Sequence, residues 1–173
     1  MRPKYTPTGV ERHFDENDII VSKTDLKGRI TYANQVFIDV AGYSEEELIG
    51  QPHNIIRHPD MPACVFKLLW DVIQGGREIF AYVVNLCKGG DHYWVFAHVT
   101  PTFDDDGKII GYHSNRRVPD RPAVEAVQGL YAALLEEEKR HDDQKEGMKA
   151  ATAMLTSALA EKEVEYDEFV LTL

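Results

Sequence analysis

The chain has 173 residues, 43% hydrophobic and 28% charged, which suits one soluble domain of ordinary size with extensions and a real core. Its net charge of -10 argues against binding to nucleic acid or to anionic membrane surfaces. Cys64 and Cys87 form no metal-binding spacing and are expected to be reduced thiols; with neither a signal peptide nor a long apolar run, a cytoplasmic location is expected.

A polar arm over residues 1–17 precedes DIIVSKTD, which reads as a strand. DLKGR supplies turn chemistry and RITYAN a second strand, making a hairpin over residues 18–33. Asn34 is placed to cap a short helix whose apolar face carries Val36, Phe37, Val40 and Ala41. In SEEEL, Ser44 and Glu47 have the spacing of a capping box. ACVFKLLWDVIQGG predicts a helix with Val65, Leu68, Leu69, Val72 and Ile73 inward, Pro62 at its first position and Gly75-Gly76 as its stop. EIFAYVVNL, HYWVFAHVTPTF and KIIGYHSNRRV follow as three antiparallel strands. The order predicts an α+β domain over residues 18–118, a five-stranded antiparallel sheet with short helices on one face and a pocket between the layers.

Residues 119–173 change character. Val124, Val127, Leu130 and Leu134 form one apolar stripe; Met148, Thr152, Leu155 and Leu159 begin a second, which continues through Tyr166 and Phe169 or Val170. Both suit helices packing on a second copy of the chain, so a homodimer is expected; folding back on the domain is the alternative.

The chemistry concentrates in NIIRHPDMP, residues 54–62. The prolines and Asp60 are explained by a helix start, where a carboxylate gains from free amides and the macrodipole. Arg57 and His58 are not explained that way. Arg57 offers a planar fork of donors for phosphate or carboxylate, His58 titrates near neutrality, and the following helix start favours anions. The competing reading is an Arg57–Asp60 salt bridge that braces the loop. Asn34 and Asn85 could each present a donor and an acceptor to a heterocycle, against a capping role for Asn34. Trp70 suits core packing or pocket lining. No nucleophile elbow, phosphate-binding glycine loop or metal motif is present, which argues against an enzyme.

TDLKGRITYAN, AGYSEEELIGQPHNIIRHPDMP, KGGDHYWV and GKIIGYHSNRR together resemble a PAS sensor domain, of the FAD-binding kind found in bacterial aerotaxis receptors. The resemblance spans roughly residues 15–131. It implies the PAS fold, non-covalent FAD and redox or oxygen-status sensing, with a chemotaxis-type or other signalling protein as partner. Matched residue by residue, Arg57, His58 and Asp60 are implied as cofactor-binding; Asn34, Asn85, Trp70, His53 and Asn54 complete the candidate set. Phe80 stands where that family usually has a stacking tryptophan. The blue-light relatives carry an adduct-forming cysteine where this chain reads NIIRHPDMP, leaving Cys64 as a remote candidate. A cofactor-free docking module, or a haem sensor using His53, His58 or His92, is the alternative.

Overall fold

In a computed structural model, residues 5–173 are described; positions 1–4 of the expected N-terminal arm lie outside them. Five strands form one antiparallel sheet: β1 Ile20–Thr24, β2 Ile30–Ala33, β3 Ile79–Leu86, β4 His92–Phe103 and β5 Ile109–Arg117. Their spatial order is β2-β1-β5-β4-β3, so β3 is an edge although it lies mid-chain. Between β2 and β3 run α1 Gln35–Ala41, α2 Glu45–Leu48, a 3-10 turn His53–Ile56 and α3 Ala63–Gln74. After β5 come α4 Arg121–Lys139, α5 Gln144–Glu161 and α6 Tyr166–Leu171.

Local sequence explains the first half. Asp25 Oδ1 accepts from the backbone N–H groups of Lys27 and Arg29, closing the β1–β2 turn. Gly28 completes it at φ +75°, and a Cβ there would stand 2.9 Å from the Trp70 ring. The Ser44–Glu47 capping box forms as predicted. Pro62 sits one place earlier than expected, at the N-cap of α3, where it brings no side-chain acceptor. Glu138, from the end of α4, supplies one: its carboxylate accepts from Ala63 N (3.1 Å) and Cys64 N (2.8 Å).

Strand alternation sorts the faces. Ala81, Val83 and Asn85 pair with Ala97, Val95 and Tyr93 and point toward α3, while Trp94 points away and stacks on Tyr131 of α4 at 6.4 Å. The two apolar stripes expected to meet a second copy are covered within the chain: Val124, Val127 and Leu134 are buried, as are Leu155, Tyr166 and Val170. The fold-back alternative is therefore what these residues do. The chain has an edge strand to cover, and covering it removes the apolar stripe from water at no cost in association entropy. Tyr131 OH donates to Tyr82 O (2.6 Å), Asp167 accepts from Phe80 N (3.3 Å), and Arg57 bridges to Asn85. Helix α5 then turns back along α3; at Gly147 a Cβ would lie 2.3 Å from Glu138 O, so only glycine permits that approach. No helix among the described residues is long and apolar enough to cross a membrane.

Candidate functional site

A cavity of about 630 Å³ lies between α3 and the inner face of the sheet, within the range of small-molecule sites. Its apolar walls are Val83, Ala97 and Val99 from the sheet and Phe66, Leu69, Trp70 and Ile73 from α3. Trp70 meets Tyr112 edge-on at 5.4 Å, so it both packs and lines.

Of the eight candidate residues, Arg57, Asn85, Trp70, His53 and Asn54 line this cavity, and Asn34, His58 and Asp60 do not. Asn34 is fully engaged elsewhere. Its Oδ1 accepts from Phe37 N and Val21 N, and its Nδ2 donates to Ile19 O at 2.7 Å, so it caps α1 and ties that cap to β1. His58 is buried behind the loop, where Nδ1 accepts from Asp60 N (3.1 Å) and the ring lies edge-on to His92 at 5.6 Å. Burial first, then His92, depresses its pKa against the pull of Asp60, whose carboxylate is exposed. His58 and Asp60 therefore shape the loop that holds Arg57. Of the three, only Arg57 reaches the cavity.

No Arg57–Asp60 ion pair forms among the described residues. Arg57 lies over the Phe66 ring at 4.6 Å, with burial lowering its pKa and Glu138 opposing that shift. Asn85 is 4% exposed, and its Nδ2 has no hydrogen-bond partner among the described residues. Phe80 is not a lining residue: it stacks on His98 at 4.2 Å and beside Phe96 on the outer face, one residue out of inward register. Cys64 does not line the cavity either; burial, then Glu138, pushes its thiol up to about 12, far from a reactive thiolate. Of the three histidines considered for haem, His53 alone lines the cavity.

Three contributions went unread in the sequence. Arg116 of β5 is 2% exposed and lines the cavity, its guanidinium 4.4 Å above the Phe37 ring. Nη2 donates to Ser22 Oγ at 2.6 Å, while Nε and Nη1 have no hydrogen-bond partner among the described residues. Ser22 Oγ in turn meets His53 Nε2 at 3.0 Å. Burial, then Arg116, pulls the His53 pKa down to about 3, so it is neutral; Arg116, at about 10, stays charged. Strand alternation does put Arg116 on the inward face, and that was the available signal. From α5, Gln144, Lys145 and Met148 also line the cavity; Met148 was read only as part of an apolar stripe, and no local pattern announces the other two. Glu138 is the third, at the helix start expected to hold a ligand anion.

Charge is distributed unevenly. Lys27, Arg57, Lys67, Arg116 and Lys145 line the cavity, and no carboxylate does, in a chain of net charge -10. Lys67 is paired with Asp71; the cationic bias remains.

The family model described as "PAS fold" matches residues 30–116. The chain belongs to the PAS family. It is 44% identical over 119 residues to the aerotaxis receptor of Escherichia coli (strain K12), covering 69% of this chain and 23% of the receptor. It is 28% identical over 116 residues to a blue-light-activated histidine kinase of Rhizobium johnstonii, covering 66% of this chain and 33% of the kinase. The chain thus spans a third or less of the length of these relatives. Among solved structures, the light-state LOV domain of the photoreceptor Aureochrome1 superposes with a TM-score of 0.56 at 21% identity, over 70% of this chain and 91% of that one. A light-oxygen-voltage domain studied with a flavin analogue gives 0.57 at 18% identity, over 64% and 83%. At those identities the match concerns the fold, a PAS fold with additional C-terminal helices.

Proposed function

We propose that this PAS domain binds FAD non-covalently and senses redox or oxygen status, passing the state of its cavity to a separate signalling protein, chemotaxis-type by likeness to the aerotaxis receptor. The observation that carries this reading is a cavity walled by apolar side chains, with cations and, among the described residues, no carboxylate lining it, and with orphaned donors on Asn85 and Arg116. Buried donors of that kind are costly unless something accepts from them. A ring system with a heteroatom edge and an anionic tail matches both the donors and the cations. When bound, the flavin supplies reversible electron transfer. The chain's residues do the rest. Trp70 and the strand valines would hold the ring, Asn85 and Arg116 would offer donors to its polar edge, and Arg57, Lys67 and Lys145 would supply charge for the phosphates. A change in hydrogen bonding at Asn85 reaches Arg57 through their backbone bridge, and Arg57 lies within the electrostatic reach of Glu138. Residues 119–173 are thus in mechanical contact with the cavity and serve as the output segment. A second copy gains little support as the recipient, since both stripes assigned to it are covered.

The test is the visible absorption of freshly purified protein, with heat-released cofactor identified by chromatography. FAD supports the reading, FMN narrows it to a mononucleotide, and a Soret band or a colourless protein with no flavin uptake refutes it.

A further inference from the structure

Resting on that flavin reading, we infer that Arg116, held by Ser22 and His53, is the fixed positive charge that raises the reduction potential of the bound ring.

Arg116 is the one cation lining the cavity that is fully enclosed; Lys27, Lys67 and Lys145 are exposed. A buried guanidinium normally has a carboxylate, because removing its charge from water is costly. Arg116 makes no ion pair among the described residues; its neighbours are neutral, namely Ser22 Oγ, the Phe37 face and the Tyr93 phenol. Core packing alone would be met by a neutral side chain. What the position supplies instead is two nitrogens, Nε and Nη1, with no hydrogen-bond partner among the described residues, and a whole charge on the wall of a ligand-sized cavity.

The support behind it points the same way. Ser22 Oγ accepts from Arg116 and its proton is free to be donated to His53 Nε2, an arrangement that goes with the neutral Nδ1–H tautomer of the imidazole. A protonated His53 would set a second charge against Arg116. The arrangement holds one cation, not two, and aims it.

Electron uptake by a flavin from a one-electron donor places negative charge on the ring, most of it along the pyrimidine edge. A neighbouring fixed cation stabilises that charge without donating a proton, and the oxidised ring gains much less. Arg116 therefore sets how readily the sensor is reduced, whereas Asn85 and the other lining residues set how tightly it holds the cofactor.

The test uses the full chain reconstituted with FAD. Midpoint potential is measured by dye equilibration for the wild type, Arg116→Gln and Arg116→Lys, with circular dichroism checking the fold. Arg116→Gln is expected to lose at least tenfold of the preference for the reduced over the oxidised cofactor, a downward shift of about 59 mV for a one-electron couple. Arg116→Lys, which keeps the charge, should recover most of it. Equal potentials for wild type and Arg116→Gln would overturn the assignment while leaving the flavin reading intact. If Arg116→Gln does not retain FAD, the Lys variant decides, because a potential as low as that of free FAD with Arg116→Lys also overturns it. A wild-type chain that takes up no flavin refutes the reading itself, and this inference with it.

Discussion

Replacing Glu138 by alanine tests whether the C-terminal helices are clamped to the cavity wall. Two amide donors of α3, at Ala63 and Cys64, have this carboxylate as their acceptor, because Pro62 at the N-cap has none. Losing an N-cap acceptor costs about 0.5–2 kcal/mol, and losing a negative charge at a helix N-terminus about 0.3–1 kcal/mol. Glu138 is only partly buried and water can replace part of the interaction, so a loss of about 2 kcal/mol is expected. For a chain of this length that is a fall in Tm of roughly 4–8 °C. Urea denaturation should show a lower midpoint at constant m, and proteolysis should become faster within residues 119–173. Glu138→Gln keeps an acceptor and should lose about half as much. Glu137→Ala is the control, since its partners Arg140 and His141 are surface groups, and it should stay within about 0.5 kcal/mol of wild type. If Glu138→Ala matched that control in both midpoint and proteolysis, the clamp would be refuted.

Asn85→Ala removes an orphaned donor, so stability should change by less than about 1 kcal/mol while FAD affinity, followed by fluorescence titration, falls at least tenfold. His58→Ala should lower FAD retention and Tm together, because His58 acts through the loop; loss of FAD at unchanged Tm would contradict that. Asn34→Ala should cost about 2 kcal/mol, through the lost cap and its ties to β1, with FAD affinity retained in the folded fraction. For His53 the folded pKa lies below the unfolded one, so its contribution is complete above about 6.5 and is lost as pH falls toward about 3. Ligand-free protein should lose up to about 2 kcal/mol between pH 7 and 5 from this residue, and His53→Gln should flatten that part of a stability–pH series.

The local elements were legible because their causes are local. The Asn34 and Ser44 caps, the Gly28 turn and the period-2 and period-3.6 patterns depend on neighbours within a few residues. The motif resemblance then brought the family into view. The candidate residues divide for the same reason: Arg57, His53, Asn54, Trp70 and Asn85 reach the cavity, but the residue types that suit a heterocycle also suit a cap or a loop brace, as in Asn34, His58 and Asp60. Which role each takes depends on where its side chain points once β5 lies between β1 and β4. The tertiary structure decided what sequence distance conceals. An arginine 94 residues from its serine became a buried charge, and a glutamate 75 residues from Ala63 became its helix cap. Two apolar stripes that fit any partner found one within their own chain, α5 against α4 and α3 and α6 against the β3 edge, because amphipathicity specifies that a face be covered and not by what.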